Sequence, residues 1–165
     1  MQTLRAQPLC ADAFRPFGDV IAFDGAVARP VNHGTARRAD LATSFRADSG
    51  APVLSIYRAQ AQSLPMALPS LERHPHSTQA FVAMSAPRFL VVVAPADASG
   101  APDVSQACAF VGISGQGINY RPGVWHAPIV ALDGDGDFLM FMWERGDADD
   151  CIVHDAAIPL QITLE

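Results

Sequence analysis

The sequence predicts an all-β protein, a sandwich or barrel built from many short strands with a few short helices. Thirteen prolines and 12 glycines interrupt the 165 residues at short intervals, and β-prone apolar runs lie between them. Sustained helical periodicity is scarce. Because single domains usually have ~100–200 residues, we expect residues 1–165 to form one domain.

The expected strands are short runs of β-branched, aromatic and aliphatic residues bounded by glycine, proline or acidic turns. In chain order they are Asp19–Phe23, Val53–Ala59, Thr78–Met84, Arg88–Ala94, Ala107–Ile113, Gly117–Tyr120, Ile129–Leu132, Phe138–Trp143 and Cys151–Val153. We expect a helical turn at Ala11–Phe14, before a Pro-Phe-Gly stop, and a second short helix within Asp40–Phe45. The polar segment Asp133–Asp137 is interpreted as the tip of a hairpin.

Composition excludes several classes of function. Half of the residues are hydrophobic and 17% are charged, which argues against a disordered chain. The formal net charge is −6 and no basic cluster occurs, so neither nucleic acid nor a membrane is expected as a partner. All 11 basic residues are arginine. Lysine nucleophiles and lysine Schiff bases are therefore excluded, and an anionic small-molecule substrate would be held by guanidinium groups.

Cysteine usage and hydropathy favour a cytoplasmic protein. The chain has three cysteines and no Cys-x-x-Cys motif, so a disulfide framework is not expected. No apolar signal core follows Met1, and the longest apolar runs, Phe89–Pro95 and Phe138–Trp143, are far shorter than the ~20 residues that span a bilayer.

The first group of residues that could carry chemistry lies in Leu71–Phe81. In an extended strand Glu72, His74, His76 and Thr78 share one face, because side chains alternate with period two. Two imidazoles at positions i and i+2 on a concave sheet form a typical pair of metal ligands. The alternative interpretation is a solvated strand start, where polar residues are ordinary.

Two neighbours modify this interpretation. Pro75 cannot donate to a strand ladder, so it places this segment at an edge, an end or a bulge of the sheet. Gln79 has the opposite parity to the histidines and needs a bulge to join the same pocket.

A second group lies in Gly115–Pro128. Arg121-Pro122-Gly123 is a turn that delivers Trp125 and His126 onto the next strand. The glycine-rich start is not a phosphate loop, since neither a lysine nor a helix follows. The alternative for His126 is a buried, hydrogen-bonded histidine without a catalytic role.

Together the two segments resemble the half-motifs of the cupin superfamily, and within it the ureidoglycolate lyase family. The resemblance rests on ERHP…TQAF (72–81) and GQGINY…WHAP (115–128), and it extends in order over nearly the whole chain. It implies a single-domain, cupin-like double-stranded β-helix, or jelly-roll barrel, and a homodimer.

The chain departs from the family pattern at four places. Arg38-Ala39-Asp40-Leu41 lacks a histidine that the family usually has, and Ala127 replaces a frequent second histidine after His126. His76-Ser77 stands where the family often has Leu-Gly. The usual cupin glutamate ligand is absent from its expected position, with Gln79 as the nearest polar candidate.

The resemblance implies cleavage of (S)-ureidoglycolate into glyoxylate and urea. The reaction needs a group that holds the carboxylate, a base for the hydroxyl proton and an acid for the leaving nitrogen. We assign His126 or His74 as the base and the other as acid or electrophile, with Glu72 orienting an imidazole or accepting from the ureido NH₂ group. The candidate substrate-binding residues are Arg73, with Arg58 or Arg121 as alternatives, for the carboxylate, and Asn32, Gln79 and Tyr120 for the urea portion.

The same resemblance raises the question of a metal. His74, His76 and His126 could hold an optional divalent ion such as Ni²⁺, Zn²⁺ or Mn²⁺, and no organic cofactor is expected. Two other functions stay open: a different metal-dependent cupin enzyme acting on a small carboxylate, and a non-catalytic cupin that senses a small acid.

Overall fold

The structure is a computed structural model and describes residues 2–41, 43–155 and 160–164. These residues form strands, one four-residue helix and three short 3₁₀ turns. The strands are β1 (Gln2–Pro8), β2 (Gly18–Ile21), β3 (Ala28–Val31), β4 (Ala36–Ala39), β5 (Ala51–Ala59), β6 (Met66–Ala67), β7 (Leu71–Arg73), β8 (Gln79–Ala83), β9 (Arg88–Ala94), β10 (Cys108–Ile113), β11 (Gly117–Tyr120), β12 (Trp125–His126), β13 (Val130–Leu132), β14 (Gly136–Glu144), β15 (Ile152–His154) and β16 (Leu160–Leu164). The helix is α1 (Ala11–Phe14), and the 3₁₀ turns are Asn32–Gly34, Val104–Gln106 and Ala148–Asp150.

Two curled sheets make up the fold, which confirms the all-β, cupin-like prediction. The larger sheet has the order β15-β7-β12-β9-β10-β1-β16-β6, with β13 also beside β9. The smaller sheet has the order β2-β11-β8-β14-β5, and β3 and β4 form a separate hairpin. Strand β1 runs parallel to β10 and β16, whereas the other pairs of named strands are antiparallel.

Two local predictions were wrong. Residues 40, 41 and 43–45 form no helix, and Ala42 lies outside the described residues. Thr43 and Ser44 instead bond to Asp19 and Asn119 of the smaller sheet, which gives their polar groups partners outside a helix. The segment 133–137 is not a hairpin tip, because β13 pairs with β9 in the larger sheet while β14 belongs to the smaller one.

The alternation of β9 shows how the core is built. Phe89, Val91 and Val93 belong to the apolar cluster between the two sheets, whereas Leu90 and Val92 belong to a second cluster on the opposite face of the larger sheet. Both faces of this central strand are therefore buried, which explains its continuous apolar sequence.

Helix α1 closes one end of the space between the sheets. Phe14 is fully buried, and its ring lies 5.6 Å from that of Phe110 and 6.0 Å from that of Tyr120. This packing fixes Tyr120 of β11, whose ring forms one wall of the site described below. Within the described residues no helix is both long enough and apolar enough to cross a membrane.

Candidate metal and catalytic site

The pairing of β7 with β12 brings the two sequence motifs together. Glu72 lies directly opposite His126 in this antiparallel pair, so both side chains point to the same face of the larger sheet. That face looks toward the space between the sheets. Leu71 and Trp125 alternate to the other face and join the second apolar cluster there.

His74 reaches the same place from just beyond the end of β7. Its backbone oxygen accepts a hydrogen bond from Gly123, which ties it to the turn that leads into β12. The rings of His74 and His126 lie 5.4 Å apart, and both residues are buried. Two segments about fifty residues apart therefore meet in one site.

Hydrogen bonds to the backbone fix the tautomers of both histidines. Nδ1 of His74 lies 2.6 Å from the carbonyl oxygen of Asp150, and Nδ1 of His126 lies 2.9 Å from that of Val124. A carbonyl oxygen can only accept, so each Nδ1 carries the hydrogen and each neutral ring has a bare lone pair on Nε2. Both Nε2 atoms are buried without a hydrogen-bond partner.

The carboxylate of Glu72 completes a set of three converging acceptors. Its Oε1 lies 3.7 Å from Nε2 of His126 and 4.0 Å from Nε2 of His74. Ligand atoms at about 2.0–2.2 Å from one zinc ion lie roughly 3.3–3.6 Å from one another, so a small inward movement suffices to bind an ion. Glu72, His74 and His126 are therefore a set that could hold a divalent metal.

At neutral pH, Nε2 of His126 carries no proton that could bond to the carboxylate of Glu72. Burial, together with the neighbouring His74, lowers the pKa of His126 to about 3. His126 is then neutral at neutral pH, with its Nε2 lone pair free. The three donors could therefore hold a cation, and nitrogen and carboxylate donors suit Zn²⁺, Ni²⁺ and Mn²⁺.

Three further side chains border the cluster. The ring of Tyr120 stacks on that of His126 with centroids 4.0 Å apart, and burial raises the pKa of its phenol. Cys151 Sγ lies 3.7 Å from Oε2 of Glu72, and burial together with Glu72 raises the pKa of its thiol to about 11. Tyr57 lies on the inner face of β5, where the space between the sheets is open to solvent.

Sequence reasoning missed Tyr57 and Cys151 as site residues. Burial raises the pKa of Tyr57, and the negative charge of Glu72 raises it further. The two residues are far from either motif in the chain. Only the inward parity of Tyr57 in its strand was available as a signal.

His76 is not part of the metal-ligand set. β7 ends at Arg73, and Pro75 and His76 form a turn, so the expected strand alternation does not extend to His76. Its Nδ1 instead bonds to Oδ2 of Asp48 at 2.9 Å, and this bond lowers the pKa of the Asp48 carboxyl. Glu72 takes the place in the set of three that the sequence had assigned to His76.

The arginines proposed for the substrate carboxylate lie elsewhere. Arg73 alternates away from Glu72, and its guanidinium carbon lies 4.7 Å from the centre of the Trp125 ring on the other face of the sheet. Arg58 is bound by two hydrogen bonds to Asp137 and is exposed on the outer face of β5. Arg121 donates to the backbone oxygen of Pro16.

The two amide residues proposed to bind the urea portion of the substrate lie in different parts of the fold. Asn32 lies in the exposed turn between β3 and β4 and contacts no member of the cluster in the described structure. Gln79 is buried on the inner face of β8, level with Tyr120, and its Oε1 has no hydrogen-bond partner. No bulge is needed for this, because Gln79 begins a new strand in the other sheet. Gln79 and Tyr120 thus face the space between the sheets, and Asn32 does not.

The arrangement can bind an ion and a small polar ligand beside it. Glu72 is one-quarter exposed and Tyr57 is 43% exposed, so the site opens between β7 and β5. The deeper wall, formed by His126 and Tyr120, is closed to solvent. A site with a carboxylate at its mouth and two imidazoles at its base suits acid–base chemistry on a small molecule.

Comparison with known proteins agrees with these motifs. Residues 1–163 match the model of the family described as ureidoglycolate lyase. A ureidoglycolate lyase of Burkholderia cepacia is 47% identical over 140 residues, which cover 83% of this chain and 77% of the relative. A ureidoglycolate lyase of Pseudomonas syringae pv. tomato (strain ATCC BAA-871 / DC3000) is 39% identical over 158 residues, covering 93% of this chain and 90% of the relative.

A solved structure supports the fold. A dTDP sugar isomerase from Desulfovibrio desulfuricans G20 superimposes with a TM-score of 0.50 at 14% identity, covering 82% of this chain and 89% of that one. At this identity the likeness concerns the fold and not the activity. From the family match, the two relatives and the converging motifs, it follows that this chain belongs to the ureidoglycolate lyase family of the cupin superfamily.

Proposed function

We propose that this protein is a lyase that splits (S)-ureidoglycolate into glyoxylate and urea. The observation that carries the proposal is the convergence of both family motifs on one buried set of donors, Glu72, His74 and His126. The substrate has a carboxylate, a hydroxyl group and a ureido nitrogen on one carbon. Its cleavage moves the hydroxyl proton away and adds a proton to the departing nitrogen.

We propose that Glu72, His74 and His126 hold a divalent ion. None of the arginines that the sequence offered contacts this cluster, and Glu72 itself is negative, so the side chains described above supply no positive charge for a substrate carboxylate. When bound, the ion supplies that charge and makes the neighbouring hydroxyl group more acidic. The Nδ1–H bonds to Asp150 and Val124 keep both imidazoles in the orientation that this requires.

Glu72 is the base of the proposed reaction. Its Oε1 lies toward the imidazoles, whereas Oε2 lies on the side of Cys151 and retains a lone pair. The hydroxyl proton passes to Oε2 as the carbonyl of glyoxylate forms and the carbon–nitrogen bond breaks. The histidines, as ligands, take no proton in this scheme.

Tyr57 is the proposed acid. It belongs to the opposite sheet from Glu72, faces the same opening and keeps its proton, because burial and Glu72 both raise the pKa of its phenol. Its proton goes to the departing nitrogen, which leaves as neutral urea. Solvent then carries the proton from Glu72 back to Tyr57, so the enzyme is unchanged after each turnover.

The test is an assay of glyoxylate and urea released from racemic ureidoglycolate, with and without a chelator, alongside elemental analysis of the purified protein. We expect equal amounts of both products, more than one turnover per site, and loss of activity in the chelator. Loss of a metal ligand in His74→Ala is expected to lower kcat/KM by roughly 10²-fold or more, while the matched control His76→Ala retains the wild-type value.

Other outcomes would contradict the proposal. Binding of glyoxylate without turnover would indicate a sensor of small acids. Oxygen consumption during substrate loss would indicate a different metal-dependent cupin. Full activity after complete metal removal would leave lyase function standing but refute the role of the ion.

A further inference from the structure

The two oxygens of Glu72 have different surroundings. Oε1 is the atom nearest to both imidazoles, at 3.7 and 4.0 Å from the two Nε2 atoms. Oε2 lies 3.7 Å from Sγ of Cys151. A carboxylate oxygen only accepts hydrogen bonds, so the hydrogen in this contact belongs to the thiol.

The position of Cys151 is fixed by the same turn that orients His74. The 3₁₀ turn Ala148–Asp150 ends immediately before Cys151 and is closed by a capping box in which Asp147 and Asp150 bond to each other's backbone. The carboxylate of Asp150 also accepts the backbone N–H groups of Arg145 and Gly146. Its carbonyl oxygen accepts Nδ1–H of His74.

Strand pairing holds the other side of Cys151. Ile152, the next residue, pairs with Arg73 of β7, and Val153 pairs with Glu72 itself. The thiol is therefore placed by two independent sets of backbone contacts, on the strand that neighbours Glu72. Rigid support of this kind is what allows a weak donor to orient a carboxylate.

Cys151 is outside the set of direct ligands. Only the donor atoms of Glu72, His74 and His126 all lie within 4.8 Å of one another among the described residues. The two buried Nε2 atoms without partners lie 3.7 and 4.0 Å from Oε1 of Glu72, so the proposed ion site lies among these three atoms.

We propose that Cys151 is a positioning residue whose thiol donates a hydrogen bond to Oε2 of Glu72, so that Oε1 serves the ion and Oε2 serves the substrate. This inference rests on the metal site under Proposed function. Without the thiol, Glu72 is free to rotate or to bind the ion through both oxygens, which removes the base. Serine in the same position keeps a donor, whereas alanine does not.

The experiment is a titration of metal-free protein with Co²⁺, followed by visible absorption, for wild type, Cys151→Ala and Cys151→Ser. The matched control is Cys10→Ser, which removes an exposed thiol at the start of α1. We expect Cys151→Ala to weaken Co²⁺ binding about tenfold, since loss of an outer-shell partner costs 10–100-fold. We expect Cys151→Ser to bind within about threefold of wild type because a donor remains.

The shape of the spectrum separates orientation from general loss of structure. Binding by both oxygens of Glu72 raises the coordination number, so the visible band of Cys151→Ala is expected to weaken at saturating Co²⁺. Cys151→Ser and Cys10→Ser are expected to keep the wild-type band. Lyase assays on the same samples should show a lower kcat for Cys151→Ala.

Each contrary result has a distinct meaning. Equal affinity and identical spectra for wild type and Cys151→Ala would overturn the role of Cys151 while leaving the metal site intact. A thiolate-to-cobalt charge-transfer band that disappears in Cys151→Ser would overturn it too, because Cys151 would then be a ligand. If the wild type binds no Co²⁺, the metal site itself is refuted, and this inference with it.

Discussion

We expect acid to destabilise the metal-free protein through His126, by an amount that follows from the burial of this residue. In the unfolded chain His126 binds a proton near its ordinary pKa of 6.5, but in the folded protein it does so only near 3. Between these values the unfolded state holds more protons, so a fall in pH favours unfolding. The unfolding free energy therefore has its full value above about pH 6.5 and decreases as the pH falls toward 3.

The expected magnitude is about 1.4 kcal/mol of unfolding free energy per pH unit inside this window, or about 2 kcal/mol between pH 7 and pH 5. The perturbation is His126→Phe, which keeps an aromatic ring against Tyr120 but cannot bind a proton. Between pH 7 and pH 5, the unfolding free energy of this variant should fall by about 2 kcal/mol less than that of the wild type.

Urea denaturation of the metal-free proteins at pH 7, 6 and 5 measures this difference, with the slope of the transition checked at each pH. His126→Gln is the matched second variant, because it keeps polar groups near Nε2 but does not titrate in this range. Both variants should show the same reduced dependence on pH. Equal pH dependence in wild type and both variants would refute the reasoning, since His126 would then not be held neutral by burial.

Three further predictions follow from the fold. Gly18→Ala should destabilise the protein by about 1–3 kcal/mol in urea denaturation, because its Cβ would lie 2.1 Å from the backbone oxygen of Asn119; an unchanged midpoint would contradict the packing of β2 on β11. Arg73→Met should lower stability by about 0.5–2 kcal/mol through loss of the contact with Trp125 but leave kcat/KM for ureidoglycolate unchanged; a large loss of activity would return Arg73 to the site. Light scattering after size-exclusion chromatography should give twice the 17.5 kDa chain mass if the homodimer expected from the resemblance is correct, and a single chain mass would refute it.

Local patterns in the sequence were sufficient to predict most strands of the two central sheets. Arg88–Ala94, Gly117–Tyr120 and Ala11–Phe14 have the predicted bounds. These segments are bounded by glycine, proline or polar residues, which mark their ends in the sequence. The same patterns gave no signal for β1 or for the β3–β4 hairpin, whose residues are largely exposed and whose pairing is set by distant partners.

The sequence was likewise sufficient to predict only some residues of the candidate site. His74, His126 and Glu72 could be named from two motifs, because those residue types at those spacings are rare without a function. His76 shares the first motif, yet a turn after Arg73 directs it to Asp48. Side chains alternate between the two faces of a sheet only within a strand. The sequence does not show to within one residue where a strand ends.

The amino-acid sequence by itself determined the all-β class, the family and the segments that supply imidazole and carboxylate groups, because these depend on local composition and short spacings. The tertiary structure decided which three of those groups share one centre, which face of the sheet Arg73 occupies, and that Tyr57 and Cys151 border the site. Those facts depend on the register between β7, β12 and β15, and register comes from packing across the whole sheet.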